Sequence, residues 1–283
     1  MKVLFIGQDS NAPGRMKAIS KLDIETQAID AKAINEIKNS KADCSVLCMD
    51  CADNASAIVK ACMEAEMSIF LGQPYAATKA EAETVEAALD GYKKTVVVGH
   101  PAQFVGAYRH LRAMIMEEKL GNIGTIRMGR LRKQDAPVMP MAVGMLSTLE
   151  WMFGAIDHVY ALSAKAMEIK IVVARMKSGA IAHIEMGNTE VEPYFYYEIT
   201  GTGGLIEFDS RIEPELRFVD RASGTAKSVE LLPQVLWDEE MKSFIDACNN
   251  TPSASIPFET GKRALRLGWA VEESAKSNKV VFV

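Results

Sequence analysis

Nowhere in the 283 residues is there an apolar run long enough to cross a bilayer, no leader precedes a small-residue cleavage site, and no cluster of lysines and arginines forms a tail. Each absence removes a class of function. Without a spanning segment or leader, the chain is expected in the cytoplasm with no membrane partner. Its 32 basic and 37 acidic residues are interspersed, with a formal net charge of −5, so no electrostatic footprint for nucleic acid is present. A disulfide framework is not expected either, because five cysteines, an odd number without a secretory signal, argue for reduced thiols. Repeats, linkers and low-complexity segments are missing as well. What remains is a chain of 48% hydrophobic and 24% charged residues, able to bury a core and long enough for two modest domains. Small neutral or anionic metabolites remain open as ligands.

Three cysteines crowd into CSVLCMDC, Cys44 to Cys51, a C-x3-C-x2-C spacing that can hold an iron–sulfur cluster. Residues 42–49, however, form a nearly continuous apolar run between the polar INEIKNSK and DNAS segments, the pattern of a parallel strand buried on both faces. On such a strand Cys44 and Cys48 stand about 13 Å apart. Two thiolates on one zinc, with bonds near 2.3 Å, are separated by at most about 4.6 Å. A strand cannot chelate with these residues, and only a loop here would restore the metal reading. They are expected to be small buried apolar side chains, with no metal site.

The first hundred residues alternate strand and helix. Residues 3–6 read as a strand, 13–20 as a helix after a polar turn, and 26–29 as a second strand ending at Asp30. After the cysteine strand, Asp53 is placed to cap a helix over 57–63, and SIFLG makes a fourth strand. Thr78 with Glu81 then forms a capping box for 81–89, and 95–98 make a fifth strand. Strands at this spacing, linked by helices, imply right-handed crossovers and an open parallel sheet of the dinucleotide-binding type. Farther on, 169–176 and 180–186 are strands joined by a Lys177-Ser178-Gly179 turn, and 194–199 and 205–208 flank the hairpin turn at GTGG. The last helix carries Ala264, Leu267, Val271 and Ala275 at three- and four-residue steps, and VVFV closes the chain as a strand.

Several segments match a known pattern in order. FLGQPYA (70–76) and the helix after it are similar to a strand followed by an E-K-P motif. VVVGHPAQFVGAYRHLRAMIMEEKLGNIGTIRMGRLR follows V-G-H-x-x-R-F-x-P-x-y, a helix, then x-L-G-x-I-x, with Gln103 in the arginine position and Tyr108 at the closing aromatic. WMFGAIDHVYALSA, EITGTGGLIEF and the ending from EEMKSF onward continue the match. Over most of its length the chain resembles the Gfo/Idh/MocA family of nicotinamide-dependent sugar and polyol dehydrogenases. The resemblance implies an α/β protein with an N-terminal Rossmann-type parallel-sheet domain over 1–101. It further implies a C-terminal α/β domain over 102–283 with a large, mostly antiparallel open sheet, which binds substrate and pairs subunits into a homodimer or larger homo-oligomer. The implied activity is oxidoreduction of a small hydroxylated or sugar-like metabolite with NAD or NADP. The cofactor positions carried over are Gly7, Gln8, Asp9, Ser10, Asn11, Asp30, Met49, Gln73 and Pro74, and the substrate positions are Gln103 and Tyr108.

The chain departs from this pattern where protons are handled. Gly72 and Gln73 stand where the family has the glutamate and lysine of E-K-P, and counting back from Trp151 puts Pro140 and Gly144 at the family's aspartate and histidine. A glutamine amide donates a hydrogen bond but exchanges no proton near neutral pH, and loss of positioned acid–base help costs about 10²- to 10⁴-fold in rate. Gln73 is therefore expected to orient the reacting oxygen, with His100 or water as proton carrier; a structural role for His100 stands beside this. The phosphate loop departs too. G-x-G-x-x-G is replaced by Gly7-Gln8-Asp9-Ser10-Asn11-Ala12, which keeps the first glycine and brings a negative charge to where two phosphates would sit. Ser10 and Asn11 offer polar donors, and Asp30 favours NAD over NADP if it binds the ribose, or simply ends a strand. A non-catalytic relative that binds a metabolite, nucleotide or partner protein is the alternative to an enzyme.

Elsewhere the expectations are structural. His110 is placed at a helix surface, His158 and His183 as hydrogen-bonded sheet residues, and Arg127, Arg130, Arg132 and Lys133 on a solvated sheet edge. Met139, Met141, Met145 and Met152 are expected to fill a helix-to-sheet core. Tyr194, Tyr196 and Tyr197 are expected to pack a sheet face or a subunit contact.

Overall fold

The computed structural model describes residues 1–133, 138–164, 168–189, 192–213, 215–231 and 236–283. Strand and helix alternate first: β1 (Lys2–Ile6), α1 (Ala12–Ser20), β2 (Glu25–Ile29), α2 (Ile34–Lys38), β3 (Cys44–Leu47), α3 (Ala55–Glu64), β4 (Ser68–Leu71), α4 (Lys79–Leu89) and β5 (Val96–Val98). Then come α5 (Gly106–Met116), β6 (Ile123–Arg132), α6 (Val138–Phe153), β7 (Ile156–Ser163), β8 (Ile169–Met176) and β9 (Ile181–Asn188). Next are β10 (Tyr194–Gly201), β11 (Gly204–Asp209), β12 (Leu216–Asp220) and β13 (Ala226–Ser228). The chain ends with α7 (Leu236–Cys248), β14 (Ile256–Pro257), α8 (Phe258–Ser277) and β15 (Val281–Phe282).

Two compact units result. One is Met1–Phe104 with Val235–Lys262, the other Val105–Gln234 with Arg263–Val283. A boundary drawn in the sequence at residue 101 leaves 235–262 with the carboxy-terminal half, whereas the chain returns this segment to the first unit. The apolar face of α7 draws it there: Met241, Phe244 and Ile245 join Val3, Phe5, Val46 and Phe70 in one core, with Phe70 and Phe244 edge to face at 5.5 Å.

The first unit's sheet has the order β14-β5-β4-β3-β1-β2. β1 to β5 are all parallel, and only β14, at the edge beside β5, runs antiparallel. Strands β3 and β4 are buried at every position, which is why they read as unbroken apolar runs rather than alternation. The 2-1-3-4-5 order reverses between β1 and β3, and a ligand crevice is expected outside the carboxyl ends of those strands.

The second unit's nine-stranded sheet, β13-β12-β11-β10-β6-β9-β8-β7-β15, is antiparallel except for the β6–β9 pair. Met141, Met145 and Met152 of α6 are buried with Leu149, as the methionine spacing suggests, whereas Met139 is half-buried. Leu162, Ile171, Val173, Ile181 and Phe282 are exposed, Phe282 at 73%.

Local expectations needed correction at several points. Strand β6, read as an edge from its arginines, lies between β10 and β9; Ile126 and Met128 are buried and Arg127 pairs with Glu198 across the β6–β10 ladder at 3.0 Å. Charges sit on an interior strand here because one face of a mixed sheet is solvated. Asp53 does not cap α3: it falls within a 3-10 stretch, Met49–Asn54, and the N-cap Asn54 makes no side-chain capping bond. The Thr78 capping box closes only halfway. Thr78 accepts from the Glu81 N–H, but the Glu81 carboxylate turns to the Ser56 N–H at 2.6 Å and ties α4 to α3. Cys48 lies one residue past β3. His110 is half-buried rather than on the surface, and His183 makes no hydrogen bond through Nδ1. His158 does bond, to Asp157 at 2.8 Å. Among the described residues no helix is long and apolar enough to cross a membrane, and no three metal-ligating side chains cluster.

Candidate functional site

Because β1 to β5 are parallel, their carboxyl ends bring the notable residues of the first unit to one edge: Gly7 after β1, Asp30 after β2, Cys48 after β3, Gly72 to Pro74 after β4, and Gly99 and His100 after β5. Gly7 has φ +77°, a left-handed conformation suited to a residue without Cβ, and its N–H continues the ladder to the Ile29 carbonyl at 3.0 Å. At this point the chain turns from β1 into α1.

Asp9 sits just ahead of α1. Its Oδ1 accepts from the backbone N–H of Asn11 at 2.7 Å and of Ala12 at 2.8 Å. Pro13, the next residue, has no N–H to offer. A helix N-terminus attracts anions through just these groups and its dipole, and here a carboxylate of the chain itself is the anion. Behind it lies Arg15, a guanidinium only 2% exposed. Arg15 Nε donates to Glu240 Oε2 on α7 at 2.8 Å, and Nη1 lies 3.8 Å from Asp9 Oδ2. Its guanidinium carbon stands 4.9 Å from the Phe70 ring centre and 5.3 Å from that of Trp237, in cation–π range. The fit is tight. A Cβ on Gly14 would come within 2.4 Å of the Trp237 ring, and one on Gly99 within 2.8 Å of Phe70.

Arg15 falls on the same stripe of α1 as buried Ala12, Ala18 and Ile19, so its position alone marks it as an inward-facing charge in need of a partner. No local pattern points to Glu240, 225 residues away.

The other expected residues are distributed as follows. Gln8 and Ser10 are exposed and Asn11 half-buried beside Asp9. Asp30 is exposed, with Oδ1 accepting from the Lys32 N–H at 2.7 Å, so it closes a turn at the rim where a ribose would lie. Met49 begins the 3-10 stretch after β3; its side chain, like that of Cys51, lies outside the described residues. Gln73 is half-buried and joined to buried Pro74 through a cis peptide. His100 is 2% exposed, and burial pushes its imidazole down to about 4; near neutral pH it carries no charge. Gln103 donates its amide N–H to the Ala254 carbonyl at 2.9 Å. Tyr108 belongs to the second unit, where it is buried beside Phe195 and Tyr197 with its hydroxyl pushed up by burial. Tyr197 donates to the Ala107 carbonyl and Tyr196 to Glu185. In the same unit Pro140 and Gly144 lie one turn apart on α6, and a Cβ at Gly144 would meet nothing within 4 Å.

The sequence matches no family model and no curated protein. Its structure does match solved ones. A levoglucosan dehydrogenase in complex with NADH and L-sorbose superposes with TM-score 0.83 at 17% identity, covering 100% of this chain and 98% of the other. A probable dehydrogenase from Thermotoga maritima gives 0.81 at 18%, with the same coverage. A scyllo-inositol dehydrogenase from Lactobacillus casei with bound NAD(H) and scyllo-inositol gives 0.78 at 14%, again over 100% and 98%. Agreement over the whole length at such low identity defines the class of fold: that of the two-domain, Rossmann-type oxidoreductases.

Proposed function

We propose that the chain is an NAD(P)-dependent oxidoreductase of the Gfo/Idh/MocA family, acting on a small hydroxylated, sugar-like metabolite. The observation that carries this reading is the parallel sheet reversing between β1 and β3, with Gly7 in left-handed conformation at its crevice and Asp30 at the tip of β2. Whole-length similarity to dehydrogenases solved with NAD(H) and polyol or sugar ligands supports it. The dinucleotide, when bound, supplies hydride acceptance and donation. The ribose end of the site fits it: Gly7 allows close backbone approach, and the Asp30 carboxylate accepts from ribose hydroxyls, which favours NAD over NADP. At the pyrophosphate end Asp9 must turn out of the α1 N-terminus, leaving Gln8, Ser10 and Asn11 as polar partners. Gln73 donates an amide hydrogen bond to the reacting oxygen. His100, neutral because burial holds it near 4, is a proton acceptor rather than a cationic donor near pH 7, and water is the alternative proton carrier. The exposed apolar side chains of β7, β8, β9 and β15 favour a homo-oligomer formed through this sheet face.

A second reading, a scaffold that binds a ligand without turnover, is favoured by one observation: Asp9 already fills the anion position at α1. Titration with NADH and NADPH, followed by cofactor fluorescence, separates the two. Saturable micromolar binding is expected for the enzyme. No binding at millimolar cofactor would leave the scaffold reading standing.

A further inference from the structure

The amino ends of the same strands form a second site, independent of dinucleotide binding. Cys44 opens β3, Ser68 opens β4 and Thr95 precedes β5; with Lys41, Lys93 and Lys94 they line a cavity of about 680 Å³. Cys248, the last residue of α7, reaches the same wall. The Cys44 thiol donates to Cys248 Sγ at 3.4 Å across 204 positions of sequence, and both cysteines are free.

The two sulfurs are not equivalent. Cys44 is buried on a central strand, whereas Cys248 is half-buried at a helix end followed by Asn249 and Asn250, the latter at φ +57°. The hydrogen bond from Cys44, aided by Ser68, lowers the Cys248 thiol below its usual range despite burial. That same bond, with burial, raises Cys44. The carboxyl end of α7 opposes an anion at Cys248. The lysines of the wall favour one, and Asp43 and Glu66 are the acidic groups facing it. The other described cysteines differ: Cys48 and Cys62 are buried, and burial pushes Cys62 up to about 11. The thiolate is the attacking species, so Cys248 is the sulfur that reacts first.

We propose that Cys44 and Cys248 form a dithiol–disulfide redox site, oxidised by low-molecular-weight disulfides bearing carboxylates that enter the lysine-walled cavity. Cys248 thiolate attacks one sulfur of the small disulfide. A mixed disulfide forms, the incoming sulfur–sulfur bond breaks, and a thiolate departs with the electron pair. Cys44 passes its proton to the departing thiolate and attacks the Cys248 sulfur, expelling the second thiolate, which takes up from water the proton that Cys248 released on ionising. The protein pair loses two electrons and the small disulfide is reduced to two thiols. Closure brings the sulfurs from 3.4 Å to about 2.05 Å, a movement the end of α7 supplies.

The full-length protein incubated with oxidised glutathione and digested without reduction tests this by mass spectrometry. The expected product is a peptide pair cross-linked between Cys44 and Cys248, two hydrogens lighter than its reduced parts and released by dithiothreitol. The oxidised chain is also expected to melt at higher temperature, because the bond closes a loop of 204 residues. Cys44→Ser is expected to stop at a glutathionyl adduct on Cys248, and Cys248→Ser to leave Cys44 unmodified. An adduct on wild-type Cys248 that never resolves, first modification at any other cysteine, or a Cys248→Ser chain whose Cys44 reacts at the wild-type rate would each overturn the proposal. Should Cys44→Ser fail to fold, the wild-type cross-link and the Cys248→Ser arm decide.

Discussion

At the carboxyl ends of β1 to β5 the charged groups are committed to one another, Asp9 to the first N–H groups of α1 and Arg15 to Glu240, whereas at the amino ends Cys44 and Cys248 meet in a cavity walled by lysines. A ligand arriving at the first edge must displace an internal anion. One arriving at the second finds a nucleophile in an open space. The same parallel strands thus present one edge whose electrostatics are settled within the fold and another that chemistry from outside can alter.

The largest effect is expected from breaking the settled edge. Glu240→Ala leaves the Arg15 guanidinium buried beside Asp9 alone, and a loss of about 3–5 kcal/mol of unfolding free energy is expected, read from urea denaturation midpoints. A shift below about 1 kcal/mol would mean that the pair contributes only as a surface pair does.

His100 tests the same edge through pH. Its folded value, near 4, lies below the ordinary 6.5, so between these values the unfolded chain binds the extra proton. Stability from the neutral imidazole is therefore fully present above about pH 6.5 and is lost as pH falls toward 4, by about 3 kcal/mol in all. Wild type minus His100→Gln, measured as unfolding free energy against pH, should slope in that window and be flat above it.

Smaller effects sharpen the contrast. Gly14→Ala drives a Cβ into the Trp237 ring and is expected to cost about 1–3 kcal/mol, measured by thermal melting. Asp9→Gly removes the internal anion. It should destabilise by about 1 kcal/mol while tightening NADH binding several-fold in the fluorescence titration; unchanged affinity would show that Asp9 does not compete with the cofactor. Smallest, at the amino edge, Ser68→Ala should slow glutathione-disulfide attack at Cys248 about twofold, read from the rate of adduct formation.

Much of this architecture was legible in the sequence because it is local. The apolar runs at residues 3–6, 42–49 and 68–72 read as strands buried on both faces, and their alternation with helices points to a parallel sheet. The first glycine of the phosphate loop and Asp30 at the strand end were equally plain. The hidden features depend on side chains far apart in the chain. Asp9 read as a charge hostile to phosphate, but its bonds to Asn11 and Ala12 make it the helix's own capping anion. Cys44 read as a small apolar residue, because nothing near it in sequence announces Cys248. The arginines of β6 suggested an edge since charge is commonest there, and only the pairing shows a strand flanked on both sides.

The first unit is discontinuous: α7 and β14 complete it from residues 235–262. During synthesis the amino-terminal strands leave the ribosome more than a hundred residues before the helix that covers Phe70 and neutralises Arg15. A nascent chain that has reached residue 104 therefore displays an apolar patch and an Arg15 guanidinium without Glu240, and the unit cannot lock until α7 has emerged. Premature termination anywhere before α7 leaves a polypeptide for chaperones or proteases to handle.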